Sequence, residues 1–261
     1  MYYYLYDSFL VDKKYRKLIA NIETRLSELE ISGKIIRLSL LKSVREAVED
    51  ISKEHNPTIV IIGKDETFSE AVCANWKDKS PLFGFIPVDS HSELSSILDL
   101  PLGMDSCDVI SQRRILEMDL GKINNHSFFT YLEFPANQVF LFSKQGWKID
   151  PSCCWKVRIV NLGFRQDLGL RGEIKDSLVS RPSDGYLELI TLKRKKKYWL
   201  LNKGTIMDSL FFVRNLRIEP VKQKKDMVVQ LNGRRTIKAP FDIRLSSRKV
   251  RVIVGRERLI S

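Results

Sequence analysis

The residues best placed to do chemistry are Gly63-Lys64-Asp65-Glu66-Thr67-Phe68-Ser69-Glu70. They follow Thr58-Ile59-Val60-Ile61-Ile62, an unbroken β-branched run that reads as a strand buried on both faces of a parallel sheet. A helical pattern continues through Phe68, Ala71 and Val72. A turn from a buried strand into a helix offers free backbone N–H groups and the positive end of the helix dipole, so it suits a phosphate. Lys64 could meet that phosphate as a point charge. Glu66 would repel it unless Lys64 or a metal offset the charge. The segment also reads without a ligand. Thr67 and Glu70 have the spacing of a capping box, and Asp65 could cap the same helix.

The elements around this turn alternate. Tyr2–Leu5 predicts a short strand, and Tyr15, Leu18, Ile19, Ile22, Leu26 and Leu29 recur at helical spacing, with Gly33 as the stop. Lys34–Leu38 predicts a strand, and Ser43 with Glu46 a capping box opening the next helix. Leu82–Ile86 predicts another strand, and Ser90 with Glu93 a further capping box. Strands alternating with helices predict an open, mostly parallel α/β sheet, whose ligands bind at the carboxyl ends of the strands. The second half instead carries strand-like segments at Gln138–Phe142, Trp155–Val160, Tyr186–Leu192, Leu210–Ile218, Met227–Leu231, Phe241–Leu245 and Lys249–Val254. Those predict an antiparallel β-sandwich or barrel. The expected architecture is an α/β domain over residues 1–135 followed by an all-β sandwich over residues 136–261.

Charge divides along the same line. Residues 1–135 hold 16 basic and 21 acidic side chains, whereas residues 136–261 hold 28 basic and 11 acidic. The basic half predicts an anionic partner: membrane lipid, nucleic acid or a phosphorylated ligand. Lys193-Arg194-Lys195-Lys196-Lys197 runs into Tyr198 and Trp199, a pairing of cations with interfacial aromatics that suits an anionic membrane. A solvated strand end is its bland alternative. The start, Met1-Tyr2-Tyr3-Tyr4-Leu5-Tyr6, lacks a basic region followed by an apolar stretch, and no apolar run has the length of a membrane span. Cys73, Cys107, Cys153 and Cys154 form no C-x-x-C pair and predict reduced thiols in a cytoplasmic protein. The three histidines lie far apart in sequence and suggest no metal site.

Four segments in order carry a resemblance to the diacylglycerol kinase and bacterial lipid kinase family. The Gly63–Glu70 segment is similar to the family's G-G-D-G-T-x-N-E, matching at Gly63, Asp65, Thr67 and Glu70. Phe85–Leu94 resembles I-I-P-x-G-T-x-N-D-F, with Pro87 identical and Ser90 and Glu93 alike in type. Met118–Asn124 with Phe128-Phe129 resembles V-D-L-G-x-V-N…F, and Ser183–Leu189 resembles N-D-G-x-L-D-V. The resemblance implies an α/β nucleotide domain, a lipid-contacting β-sandwich, ATP and Mg²⁺ as cofactors, and transfer of a phosphoryl group to a lipid hydroxyl at the inner face of a membrane. It implies nucleotide contacts at Ser39, Gly63, Lys64, Asp65, Glu66, Thr67 and Ser90. Asp184 matches an acidic turn that helps hold Mg²⁺ in some members, although one carboxylate is too few to predict a bound metal.

The departures bear on catalysis. Lys64 and Glu66 replace glycines that let backbone approach phosphate closely. Tyr6-Asp7-Ser8 stands where the family has N-P-x-(S/A)-G. The family's D-G-E triplet, with its Asp as general base, is here Asn232-Gly233-Arg234. Asn232 cannot take and hold a proton, and Arg234 reverses a charge; losing a base costs roughly 10²–10⁴-fold in rate. The resemblance therefore implies an impaired lipid kinase, or a pseudokinase that binds nucleotide or lipid without turnover. A nucleic-acid binder stacking bases on Trp155, Tyr198 and Trp199 is a weaker alternative, and the NAD kinase class, with a similar glycine loop, is another.

Overall fold

The computed structural model describes residues 1–76, 80–144, 146–164, 179–194, 205–221, 227–231 and 235–260. The chain forms two compact units. One comprises Met1–Met118 with Arg248–Leu259, and the other Asp119–Ser247. Compactness and charge thus divide the chain at different places, and the last segment returns to the first unit.

In the first unit, strands β1 (Tyr2–Tyr6), β2 (Lys34–Arg37), β3 (Thr58–Gly63) and β4 (Leu82–Pro87) alternate with helices α1 (Arg16–Glu28), α2 (Val44–Ile51), α3 (Asp65–Val72), α4 (Glu93–Leu98) and α5 (Ser106–Gln112). The strands lie in the order β2-β1-β3-β4, all parallel, as the alternating pattern predicts. Every residue of β3 is buried, as an interior strand with covered faces requires. One face packs Tyr4, Tyr6, Val60, Ile62 and Ile86 against Ile19, Ile22 and Leu26 of α1 and Cys107 and Ile110 of α5. On the other, Phe68 stacks on Phe85 at 4.8 Å.

In the second unit, β5 (Ile115–Ile123) enters from the first and turns into β6 (His126–Phe128). Strands β7 (Tyr131–Pro135), β8 (Val139–Ser143), β9 (Lys148–Ile149), β10 (Lys156–Val160), β11 (Leu187–Arg194), β12 (Thr205–Val213), β13 (Asn215–Pro220), β14 (Val228–Leu231), β15 (Arg235–Lys238) and β16 (Phe241–Ile253) follow. The order β12-β11-β10-β7 makes an antiparallel sheet, and β8 pairs β13, which pairs the first part of β16. Val157, Ile159, Leu187 and Leu189 from that sheet share a core with Leu141, Leu216, Ile218 and Phe241. This is the expected antiparallel all-β architecture.

Several local expectations are corrected. The capping box at Ser43 and Glu46 forms. That at Thr67 and Glu70 does not: α3 starts three residues earlier, with extended Lys64 as its N-cap and Thr67 inside the first turn. Ser92, not Ser90, caps α4, accepting from Ser95 N. The α1 chain reverses at Glu30, whose φ is 57°, before Gly33 is reached. Leu210–Ile218 is two strands, and the segments at 241 and 249 are one continuous strand.

Candidate functional site

The carboxyl ends of the parallel strands lie side by side. Asp7 N donates to Ile62 O at 2.9 Å, Leu38 N to Tyr6 O at 2.9 Å, and Val88 N to Gly63 O at 3.2 Å. These bonds gather the residues just past β1, β2, β3 and β4 at one edge, where ligands of open α/β sheets bind.

Gly63 ends β3, and an added Cβ there would sit 2.8 Å from Asp7 Cβ and 2.9 Å from Asp7 Oδ2. The glycine is therefore required by a side chain of this protein. Asp7 is 4% exposed, and the Thr67 hydroxyl donates to its carboxylate. Ser8 donates a longer bond to the same group, at 3.4 Å. The hydroxyl that the resemblance assigns to nucleotide thus has an internal anionic acceptor. Sequence reasoning missed Asp7, and its one signal was the lost asparagine signature at Tyr6-Asp7-Ser8.

The rest of the turn is also occupied by carboxylates. Lys64 gives α3 no side-chain cap, so the first-turn N–H groups are left to other partners, while Asp65 and Glu66 bring two negative charges to the positive end of the helix. Asp65 does not cap α3. It accepts from Ser92 Oγ and from Leu94 N at 3.0 Å, tying α3 to the start of α4. Burial pushes its carboxyl above the ordinary range, opposed by those hydrogen bonds. Glu70 meets Arg45 at 3.3 Å. Exposed Lys64 rests its ammonium 5.2 Å from the Phe9 ring, and Glu66 is exposed.

Ser39 and Ser90 are both exposed. Ser39 closes a two-residue turn with Lys42, and the Ser90 hydroxyl lies 3.2 Å from His91 Nδ1. Neither is joined to Thr67 or Asp65 by any described contact.

In the second unit two motifs of the resemblance meet. Gly185 N donates to the buried Asp119 carboxylate at 3.0 Å, and Asn161 Nδ2 donates to Asp119 O at 2.9 Å. Gly121 accommodates the Phe128 ring, which a Cβ would meet at 2.1 Å. Asn124, at φ 52°, accepts from Asp242 N at 2.8 Å. These residues fix turns. Asp184 is exposed, and its Oδ1 accepts from Tyr186 N at 2.9 Å. Among the described residues no three His, Cys, Asp or Glu side chains converge on a common point. Lys193 is paired with Asp208, and the Arg194 guanidinium lies 4.6 Å from the Trp155 ring. Lys195, Lys196, Lys197, Trp199, Asn232 and Arg234 lie outside the described residues.

The family profile of the diacylglycerol kinase catalytic domain matches residues 5–123, from the end of β1 through β5 and including every residue of this turn. Residues 5–123 belong to that family. Similarity of fold extends further. A diacylglycerol kinase from Bacillus anthracis strain Sterne superposes with TM-score 0.75 at 14% identity, covering 98% of this chain and 97% of its own. A putative diacylglycerol kinase from the same strain gives 0.74 at 13% identity, covering 97% of each chain. An NAD kinase from Archaeoglobus fulgidus, solved with ATP, gives 0.61 at 13%, covering 99% of this chain and 96% of its own. Among curated proteins no sequence matches. The chain thus shares the fold of these structures, while its Gly63–Glu70 turn carries Lys64 and Glu66 where the family's motif has glycines.

Proposed function

We propose that this chain is a lipid kinase relative that has lost ordinary ATP-dependent phosphoryl transfer and acts as a binding module at a lipid surface on the cytoplasmic side of a membrane. The observation that supports this reading is the Asp7 carboxylate, buried against Gly63 and accepting from Thr67. Phosphoryl transfer rests on a phosphate cradle and on electrostatic stabilisation of the transferred group. Two like unit charges 4 Å apart at an effective dielectric near 20 repel by about 4 kcal/mol, on the order of a thousandfold in affinity. Asp65 is a carboxylate the family's motif keeps, so the departures a triphosphate would meet at this turn are Asp7 and Glu66, with Lys64 as the cation of the same turn. ATP could be held there only if those charges were offset.

The active-kinase reading differs in one measurable respect. Calorimetric titration of the protein with Mg-ATP and Mg-ADP, paired with a labelled-ATP transfer assay on mixed lipid vesicles, is expected to show weak or absent nucleotide binding and no phospholipid product. Micromolar Mg-ATP affinity with sustained turnover would establish the chain as a working lipid kinase instead.

A further inference from the structure

We propose that the turn Leu40-Leu41 is a membrane-insertion tip that docks the first unit on an anionic bilayer. Leu40 is 106% exposed and Leu41 96%. The next most exposed large apolar residue among those described is Val11, at 68%. Two-residue turns are ordinarily built from glycine, asparagine and aspartate, which cost nothing in water. Two adjacent leucines held wholly in solvent contradict that preference, and such local conflicts mark function rather than folding.

The turn is held rather than loose. Ser39 N donates to Lys42 O and Lys42 N to Ser39 O, both at 3.2 Å, and Leu41 N donates to Ser39 Oγ at 3.3 Å. Leu40 and Leu41 therefore project from a closed loop, with no buried contact to lose when they enter another medium.

The flanking charge identifies that medium. Residues 31–45 contain Lys34, Arg37, Lys42 and Arg45 and no acidic residue. Arg45 is paired with Glu70 and Lys34 lies at the opposite end of β2 beside Tyr3, but Arg37 and Lys42 next to the tip form no ion pair among the described residues, and both are exposed. Exposed Lys64 follows β3 at the same carboxyl edge of the sheet. Apolar residues at a tip with cations set around it match hydrocarbon beneath anionic headgroups. A protein groove would satisfy the leucines but give the cations no reason to be there. The tip follows β2, whose Arg37 is in register with Tyr6 of β1, so a bilayer at the tip meets the edge of the sheet that carries Asp7. This surface deepens the lipid-facing part of the proposed function, yet it does not depend on the state of the phosphate turn.

Cosedimentation with sucrose-loaded phosphatidylcholine vesicles, with and without phosphatidylglycerol, tests it in the absence of nucleotide and diacylglycerol. The native protein is expected to partition onto the anionic vesicles. The Leu40→Ser/Leu41→Ser variant should lose about tenfold or more of that partitioning, since each leucine removed from water favours the membrane by at least that order. Lys42→Glu should weaken binding to anionic vesicles only. Circular dichroism of the variants should match the native protein, because the side chains touch no core. No binding by the native protein, or equal binding by the double serine variant, overturns the proposal. So does a native dimer in sedimentation velocity that the serine variant abolishes, which would make a second copy the occupant. A serine variant that changes only Mg-ATP affinity would also overturn it. Because the vesicles carry no nucleotide, a failure here leaves the reading of Asp7 untouched.

Discussion

Asp7 changes the meaning of Thr67. A threonine in a glycine turn is legible in sequence as a phosphate ligand, but its acceptor lies 60 residues earlier and is adjacent only because β1 and β3 pair. Strand order is not written in local pattern, so no reading of residues 63–70 alone could find it. The pair makes a sharp prediction. Thr67→Val removes the donor and leaves a buried carboxylate short of a partner, which should destabilise the protein by about 2 kcal/mol. Asp7→Asn keeps the shape and removes the charge, so Thr67→Val should cost less in its presence, with a coupling of about 1 kcal/mol in chemical denaturation. The same Asp7→Asn change should strengthen Mg-ATP binding at least tenfold in calorimetry, because the like charge facing the phosphates is gone. Unchanged affinity would mean that Lys64 and Glu66 set the block.

At the scale of elements the sequence was most legible where burial is uniform and least where an element begins or changes partner. The run Thr58–Ile62 needed no context, since only a strand covered on both faces tolerates it. The start of α3 was misplaced because Thr67 and Glu70 have capping spacing, whereas the extended backbone at Lys64 begins the helix earlier. In β16, Ser246-Ser247-Arg248 interrupts the apolar pattern, so one strand read as two. A cross-strand pair tests the sheet chemistry of the second unit. Glu133 on β7 is in register with Arg158 on β10, whose guanidinium contacts it at 2.6 Å, and Lys156 joins at 2.9 Å. Burial pushes the Glu133 carboxyl up, but the hydrogen bonds from Lys156 and Arg158 outweigh it and hold the group below the ordinary glutamate range. A depressed carboxyl contributes stability that is present above its unfolded value near 4.3 and lost as pH falls through the lowered one. Glu133→Gln should therefore cost about 3 kcal/mol near neutral pH, where it strands the buried Arg158. Thermal unfolding across pH should show the difference from the native protein shrinking below about pH 4. A gap independent of pH would assign the loss to packing.

For the whole molecule, charge suggested a boundary near residue 135, but the unit that carries the candidate site is completed from the far end of the chain. Arg251 and Val252 pair in parallel with Leu82 and Phe83 of β4, and the Arg251 guanidinium donates to Ser80 O. Val250, Val252, Ile253 and Val254 are all at most 1% exposed. No local signal announces that a final strand belongs with the first ones, because the pattern of Lys249–Val254 is the same whichever sheet receives it. The energetics make the assignment testable. Burying an aliphatic side chain of this kind stabilises by about 1.5–3 kcal/mol, so four of them approach the whole 5–15 kcal/mol margin of an ordinary domain. Truncation after Ser247 also leaves β4 as an open edge beside apolar faces, a template for aggregation. The truncated chain should lose the cooperative thermal transition of the first unit and elute as aggregate in size exclusion. Supplying residues 248–259 by a flexible linker after Met118 should restore a soluble α/β unit, since it returns the strand at high effective concentration. A truncated chain that stays monomeric with a native-like transition would show that β1 to β4 and their helices are sufficient without it.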